Sequence, residues 1–123
     1  MDITETREEI ARVFTEVEDV AVTAHPVTNN VRPGNGWVDV TRIVPDGFED
    51  LAVTFQVVVI LSPDPASALV RLDELAGPLM EAVTTGLGGV TDVVIEPLSL
   101  LSTGQPPGTL YAVQTTFTME VNQ

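Results

Sequence analysis

The residues of this chain that could do chemistry are few, and their spacing serves it poorly. Asp46, Glu49 and Asp50 fall together in Pro45-Asp46-Gly47-Phe48-Glu49-Asp50, a group of carboxylates that invites a calcium reading. A calcium loop grades its oxygen ligands along about a dozen residues. This run does not, so a solvated turn is the better reading. Gly86-Leu87-Gly88-Gly89 has the composition of a phosphate cradle, but no helical pattern follows it, and it reads as a helix terminator. The one histidine, His25, stands before Pro26 at a strand end and cannot build a histidine-rich metal site. No serine has the context of a nucleophile elbow. With no lysine there is no Schiff base and no phosphate-binding lysine, and with no cysteine there is no disulfide, thiolate metal site or thiol nucleophile. Eighteen acids in a short chain will produce carboxylate pairs by chance, so acid–base pairs carry no weight. The chain does not read as an enzyme, and no cofactor or metal is implied.

The elements that would position any site follow from periodicity. Residues 3–18 form an amphipathic pattern with Ile10, Val13, Phe14 and Val17 on one helical face and Glu5, Glu8, Glu16 and Asp19 opposite. Thr6 with Glu9 has the spacing of a capping box, and Asp2 and Thr4 are alternative caps. Val20–Ala24 reads as a short strand, held extended at its end by Pro26. Residues 28–36 have the composition of a loop. From Gly36 a strand places Val38, Val40 and Val44 on one side and Trp37, Asp39, Thr41 and Ile43 on the other. A turn at Pro45-Asp46-Gly47 leads into the return strand Leu51–Leu61.

Asp64 and Pro65 open a second helix, whose stripe is Leu69, Leu72, Leu75 or Ala76, Leu79, Met80 and Val83. Gly77-Pro78 is expected to kink or restart it, since an interior proline costs about 3 kcal/mol. Thr91–Leu101 and Thr109–Val121 form a last hairpin around a loop at 102–108. In the final strand Tyr111, Val113, Phe117, Met119 and Val121 share one side, with Gln114, Thr116, Thr118 and Glu120 on the other. Helices kept apart from antiparallel hairpins make this an α+β fold: a mostly antiparallel sheet of two hairpins plus a short strand, with two helices packed on one face. At 123 residues it is one domain, spanning 1–123.

The formal charge of −13 comes from 18 acids against five arginines. A surface of that sign repels nucleic acid phosphate and anionic membranes, because both need clustered basic side chains. The N-terminus has neither the basic nor the apolar region of a signal peptide, and Leu51–Pro63 is too short to span a bilayer. A soluble, non-secreted chain is expected.

Association is the remaining theme. Val53, Phe55 and Val57 alternate with Thr54 and Gln56, but Val58 and Ile60 then make the second side of the strand apolar as well. Two helices cannot cover both faces of a sheet. The second face, with Trp37 and Ile43 beside Val58 and Ile60, is therefore a candidate contact surface. The loops at 28–36 and 102–108 add Arg32, Pro33, Gln105 and Pro106, and Arg42 and Phe48 complete the set of candidate interface residues. Arginines scarce among so many acids suit docking on an acidic neighbour, an arrangement that repeats in a ring. Ile60→Asp is expected to weaken assembly and leave the fold intact.

Taken in order, these elements resemble the tail terminator proteins of long-tailed bacteriophages, particularly those infecting actinobacteria. The resemblance covers nearly the whole chain. It runs from the acidic N-terminal helix through Gly34-Asn35-Gly36-Trp37-Val38-Asp39-Val40 and the apolar strand Val53–Leu61. It continues through Ser62-Pro63-Asp64-Pro65-Ala66 into the helix with Leu69, Leu72 and Leu79, and ends at Leu110–Phe117. It implies a small α+β subunit that forms a homohexameric ring on the last ring of the major tail tube protein. That ring stops tube growth and presents a joint to the neck or head-completion protein. DNA would pass through the lumen without specific binding, and the protein would sit at the head-proximal end of the tail in the virion after assembly in the host cytoplasm. Other head-to-tail connector or tail-completion proteins share the length and pattern. A monomeric ligand- or peptide-binding module is the reading from a different class.

Overall fold

The computed structural model describes residues 2–25, 32–102 and 108–122. In chain order the elements are α1 (Ile3–Thr15), β1 (Ala21–Thr23), β2 (Asn35–Asp46), β3 (Asp50–Ser62), α2 (Pro65–Gly86), β4 (Thr91–Ser102) and β5 (Gly108–Asn122). The strands form a five-stranded sheet in the order β1-β2-β3-β5-β4. β1 runs parallel to β2, and every other neighbouring pair is antiparallel. The fold is α+β, with both helices against one face.

That face is where the long alternation of β3 and β5 points. Val53, Phe55, Val57 and Val59 of β3 lie opposite Met119, Phe117, Thr115 and Val113 of β5, and all but Met119 are at most 1% exposed. α1 adds Ile10, Val13 and Phe14, and α2 adds Leu75, Leu79 and Val83. The centre is aromatic: the Phe14 and Phe117 rings stack at 6.3 Å between centroids, and Phe55 approaches Phe117 at 6.1 Å. Aromatic pairs at this spacing add to the apolar burial itself.

Local chemistry starts and stops the helices. Asp2 caps α1, its Oδ1 accepting from the Glu5 backbone N–H at 2.8 Å. Thr6 is not the cap. It is buried inside the helix, where its hydroxyl donates to the Asp2 carbonyl at 2.7 Å. Asp64 caps α2 through the Ser67 backbone N–H and hydroxyl, at 2.9 and 2.8 Å, and these bonds hold its carboxyl below the ordinary range.

α2 runs as one helix through Gly77 and Pro78 and does not restart there. Both residues are exposed, so the carbonyl that loses its donor to Pro78 is left to solvent. Meanwhile Leu75, Leu79 and Val83 on the buried side keep the helix continuous across the gap. The expected stripe also shifts. Leu69 and Met80 are 68% and 37% exposed, and Ala68 takes the buried place near the start of the helix.

The β2–β3 hairpin departs from simple alternation. Its register slips between Val40 and Arg42, so the residues beyond this bulge change sides. Ile43 lies opposite Val53 on the helix-side face, and Arg42 and Val44 lie opposite Thr54 and Ala52 on the other. The expectation that Ile43 shares a side with Trp37 is therefore corrected.

Gly34 and Gly36 have structural causes. Gly34 has a φ of +90°, and a Cβ there would stand 2.3 Å from the Asp19 carbonyl oxygen; at Gly36 it would stand 2.2 Å from that of Val58. The Gly-Asn-Gly-Trp run is thus a close backbone approach at the start of β2. It lets Gly34 donate to the Ile60 carbonyl and accept from the Ala21 N–H, each at 2.8 Å.

Candidate functional site

Strand register assigns the second sheet face residue by residue, and it has three zones. Toward the end of the sheet where β2 starts and β3 finishes, it is apolar. Val58, Ile60 and Ala112 form a small cluster, with Trp37, Leu98 and Leu100 packed half-buried around it. In the middle it is polar: Gln56 donates to Gln114, and the hydroxyls of Thr54 and Thr118 meet at 3.1 Å. Toward the β2–β3 turn it is acidic, with Asp46, Asp50 and Glu120 together. The hydrogen bond that protonated Glu120 donates to Asp46, and then the charges of Asp46 and Asp50, push the Glu120 carboxyl above its ordinary range. No helix or strand among the described residues lies over this face.

The candidate interface residues separate accordingly. Trp37 is half-buried on the apolar zone, its indole N–H donating to Asp39 Oδ2 at 3.0 Å. Arg42 is exposed on the same face, beyond the bulge. Val58 and Ile60 are 3% and 0% exposed in the single chain. The surface expected around them belongs instead to Trp37, Leu98 and Leu100, which flank and screen them. The substitution Ile60→Asp would consequently place a charge in a core position. Arg32 and Pro33 are exposed just before β2, and Pro33 borders a shallow pocket with Asp19, Ser62 and Arg71. Phe48 is apart from all of these, at the apex of the β2–β3 hairpin, and is 101% exposed. Gly47, with φ of +83°, turns the chain there. Gln105 and Pro106 lie outside the described residues.

Two grooves escaped the sequence reading. One, of about 520 Å³, runs between α1 and α2, where Glu16, Glu18, Glu74 and Glu81 face a single Arg71. Arg71 is held there, donating to Glu74 at 2.9 Å and to the Glu18 carbonyl at 3.3 Å. The other, of about 320 Å³, lies between the first half of α2 and the β4 edge. It is lined by Leu61, Pro65, Ala68, Leu69, Leu72, Pro97, Leu98, Ser99, Tyr111 and Ala112, with no charged side chain. Helical periodicity places Leu69 in the core, and its 68% exposure beside the groove is visible only in the structure.

The other polar contacts lie within the subunit. Arg7 reaches from α1 to donate to the Val38 carbonyl at 3.0 Å, covering the edge of β2. Arg12 pairs with Glu9 and Glu16 along α1, an exposed and solvent-screened arrangement that adds little to stability. His25 is exposed, its carbonyl accepting from the Thr23 hydroxyl at 2.7 Å. After Gly86-Leu87-Gly88-Gly89 comes strand β4 and not a helix, so the glycines end α2. Among the described residues no group of three His, Asp or Glu side chains is placed to hold a metal ion. None of the helices among them is long and apolar enough to cross a membrane. No protein-family model and no curated protein matches this chain.

Proposed function

We propose that this chain is a structural protein of a phage virion, a tail terminator. In this reading it closes the tail tube as a homohexameric ring, stops tube growth and forms the joint to the capsid neck. The observation that carries the reading is the one-sided sheet. Both helices cover a single face, and the opposite face keeps a row of half-exposed apolar residues, Trp37, Leu98 and Leu100, over a small buried cluster. Such a row is suited to a neighbouring subunit.

The reading assigns the chain no catalysis. Its partners are its own copies, the tail tube protein and a neck protein. A net charge of −13 suits a lumen through which DNA slides without attachment, since acidic walls offer phosphate no contacts.

Tube polymerisation tests it directly. The tail tube protein encoded in the same genome is allowed to polymerise with increasing amounts of this chain, and tube lengths are measured by electron microscopy. Capping predicts shorter tubes, each ending in one extra ring. Tubes of unchanged length with no density at their ends would contradict it, and binding to the neck protein alone would favour the connector reading.

A further inference from the structure

Phe48 and the apolar groove beside α2 stand at opposite ends of the sheet. Phe48 adjoins the start of β3, and Leu61, in the groove wall, is near the end of β3. At about 3.3 Å per residue the strand separates them by roughly 40 Å, so no copy can fill its own groove with its own Phe48. We propose that Phe48 of one copy inserts into the α2–β4 groove of a second copy, joining subunits head to tail.

The two parts fit in size and chemistry. Phe48 is 101% exposed and supports nothing within its own subunit. Its side chain removes about 150–250 Å² from water when buried. The groove, of about 320 Å³, is walled by Leu61, Pro65, Leu69, Pro97, Leu98 and Tyr111 and holds no charge. Around the knob, Ile43 and Val44 are 50% and 36% exposed, and beside the groove Leu69 and Val70 are 68% and 61% exposed. These flanks extend the apolar contact beyond the anchor.

Knob and groove are different surfaces, so each copy offers one of each. Such contacts close into a ring when the rotation between neighbours permits. Ring closure in particular rests on the function proposed above; the pairwise contact does not. Copies carrying −13 charges repel one another, so a contact made by apolar burial tightens as salt is added, the reverse of docking on a basic partner.

Phe48→Ala and Leu69→Asp test the contact. Both positions are exposed, so each variant should melt like the parent protein. Sedimentation velocity and native mass spectrometry are then recorded on the parent, on each variant and on their mixture. The parent should associate. Phe48→Ala should weaken association about 30-fold or more, as loss of an interface anchor does, and Leu69→Asp should abolish it. The mixture should form a one-to-one heterodimer that grows no further, because only the Phe48 of the Leu69→Asp chain meets an intact groove. A parent that stays monomeric overturns the contact and leaves tube capping to decide the function. Rings formed by Phe48→Ala as readily as by the parent overturn the contact and keep the ring. A mixture that stays monomeric when the parent associates also overturns it.

Discussion

The two faces of the sheet are made from the same strands but solve different problems. On the helix side, alternate residues of β3 and β5 meet Phe14, Leu79 and Val83, and burial extends along the whole strand length. On the open side the same strands carry only three buried residues, Val58, Ile60 and Ala112. Beyond those the open face becomes a ladder of glutamines and threonines, and finally a cluster of carboxylates. The helix side explains why the chain folds. The open side contains features that folding alone does not require: half-exposed apolar side chains, crowded like charges and a hairpin apex made of phenylalanine.

Substitutions that separate the two faces sharpen this contrast. Phe117→Ala removes the ring that touches both Phe14 and Phe55, and should cost about 3–5 kcal/mol in chemical denaturation. Ile60→Ala, on the open side, should cost about 2 kcal/mol, the lower end for an aliphatic truncation, because its cluster is small. Equal losses at the two positions would mean that the open face is as much a core as the covered one.

The smallest effect is electrostatic. The folded Glu120 carboxyl titrates above its unfolded value because Asp46 and Asp50 crowd it. The folded state therefore holds the proton more tightly, and stability falls as pH rises from the ordinary carboxylate range through the raised pKa. Glu120→Gln should raise the melting temperature slightly at neutral pH and flatten its decline across that window. Asp64 behaves oppositely: its lowered pKa makes a contribution that is present at neutral pH and lost on acidification. A melting temperature unchanged by Glu120→Gln at every pH would remove the case for charge crowding at the hairpin end.

Sequence periodicity made most of the covered face legible. The alternation of β3 and β5, the α1 stripe and the cap at Asp64 each follow from one residue's relation to its near neighbours. What stayed hidden depends on residues distant in sequence. A one-residue slip at Val40–Arg42 moves Ile43 to the helix side, and nothing local announces it. Pro78 does not break α2, because the buried residues on either side of it outweigh a lost hydrogen bond facing water. Val58 and Ile60 lie under side chains from β2 and β4, so an apolar second side did not mean an exposed one. The apolar groove combines α2, β3, β4 and β5, and became visible only when those elements were placed together. Phe48 stands exposed in a turn of Asp, Gly and Glu that gives a phenylalanine nothing to pack against.

Native mass spectra across a concentration series most directly test whether the surfaces left open by the helices join copies of this chain. The account predicts single chains at low concentration and a closed six-copy species at high concentration, favoured by added salt. A single chain at every concentration and salt would contradict self-association through these surfaces.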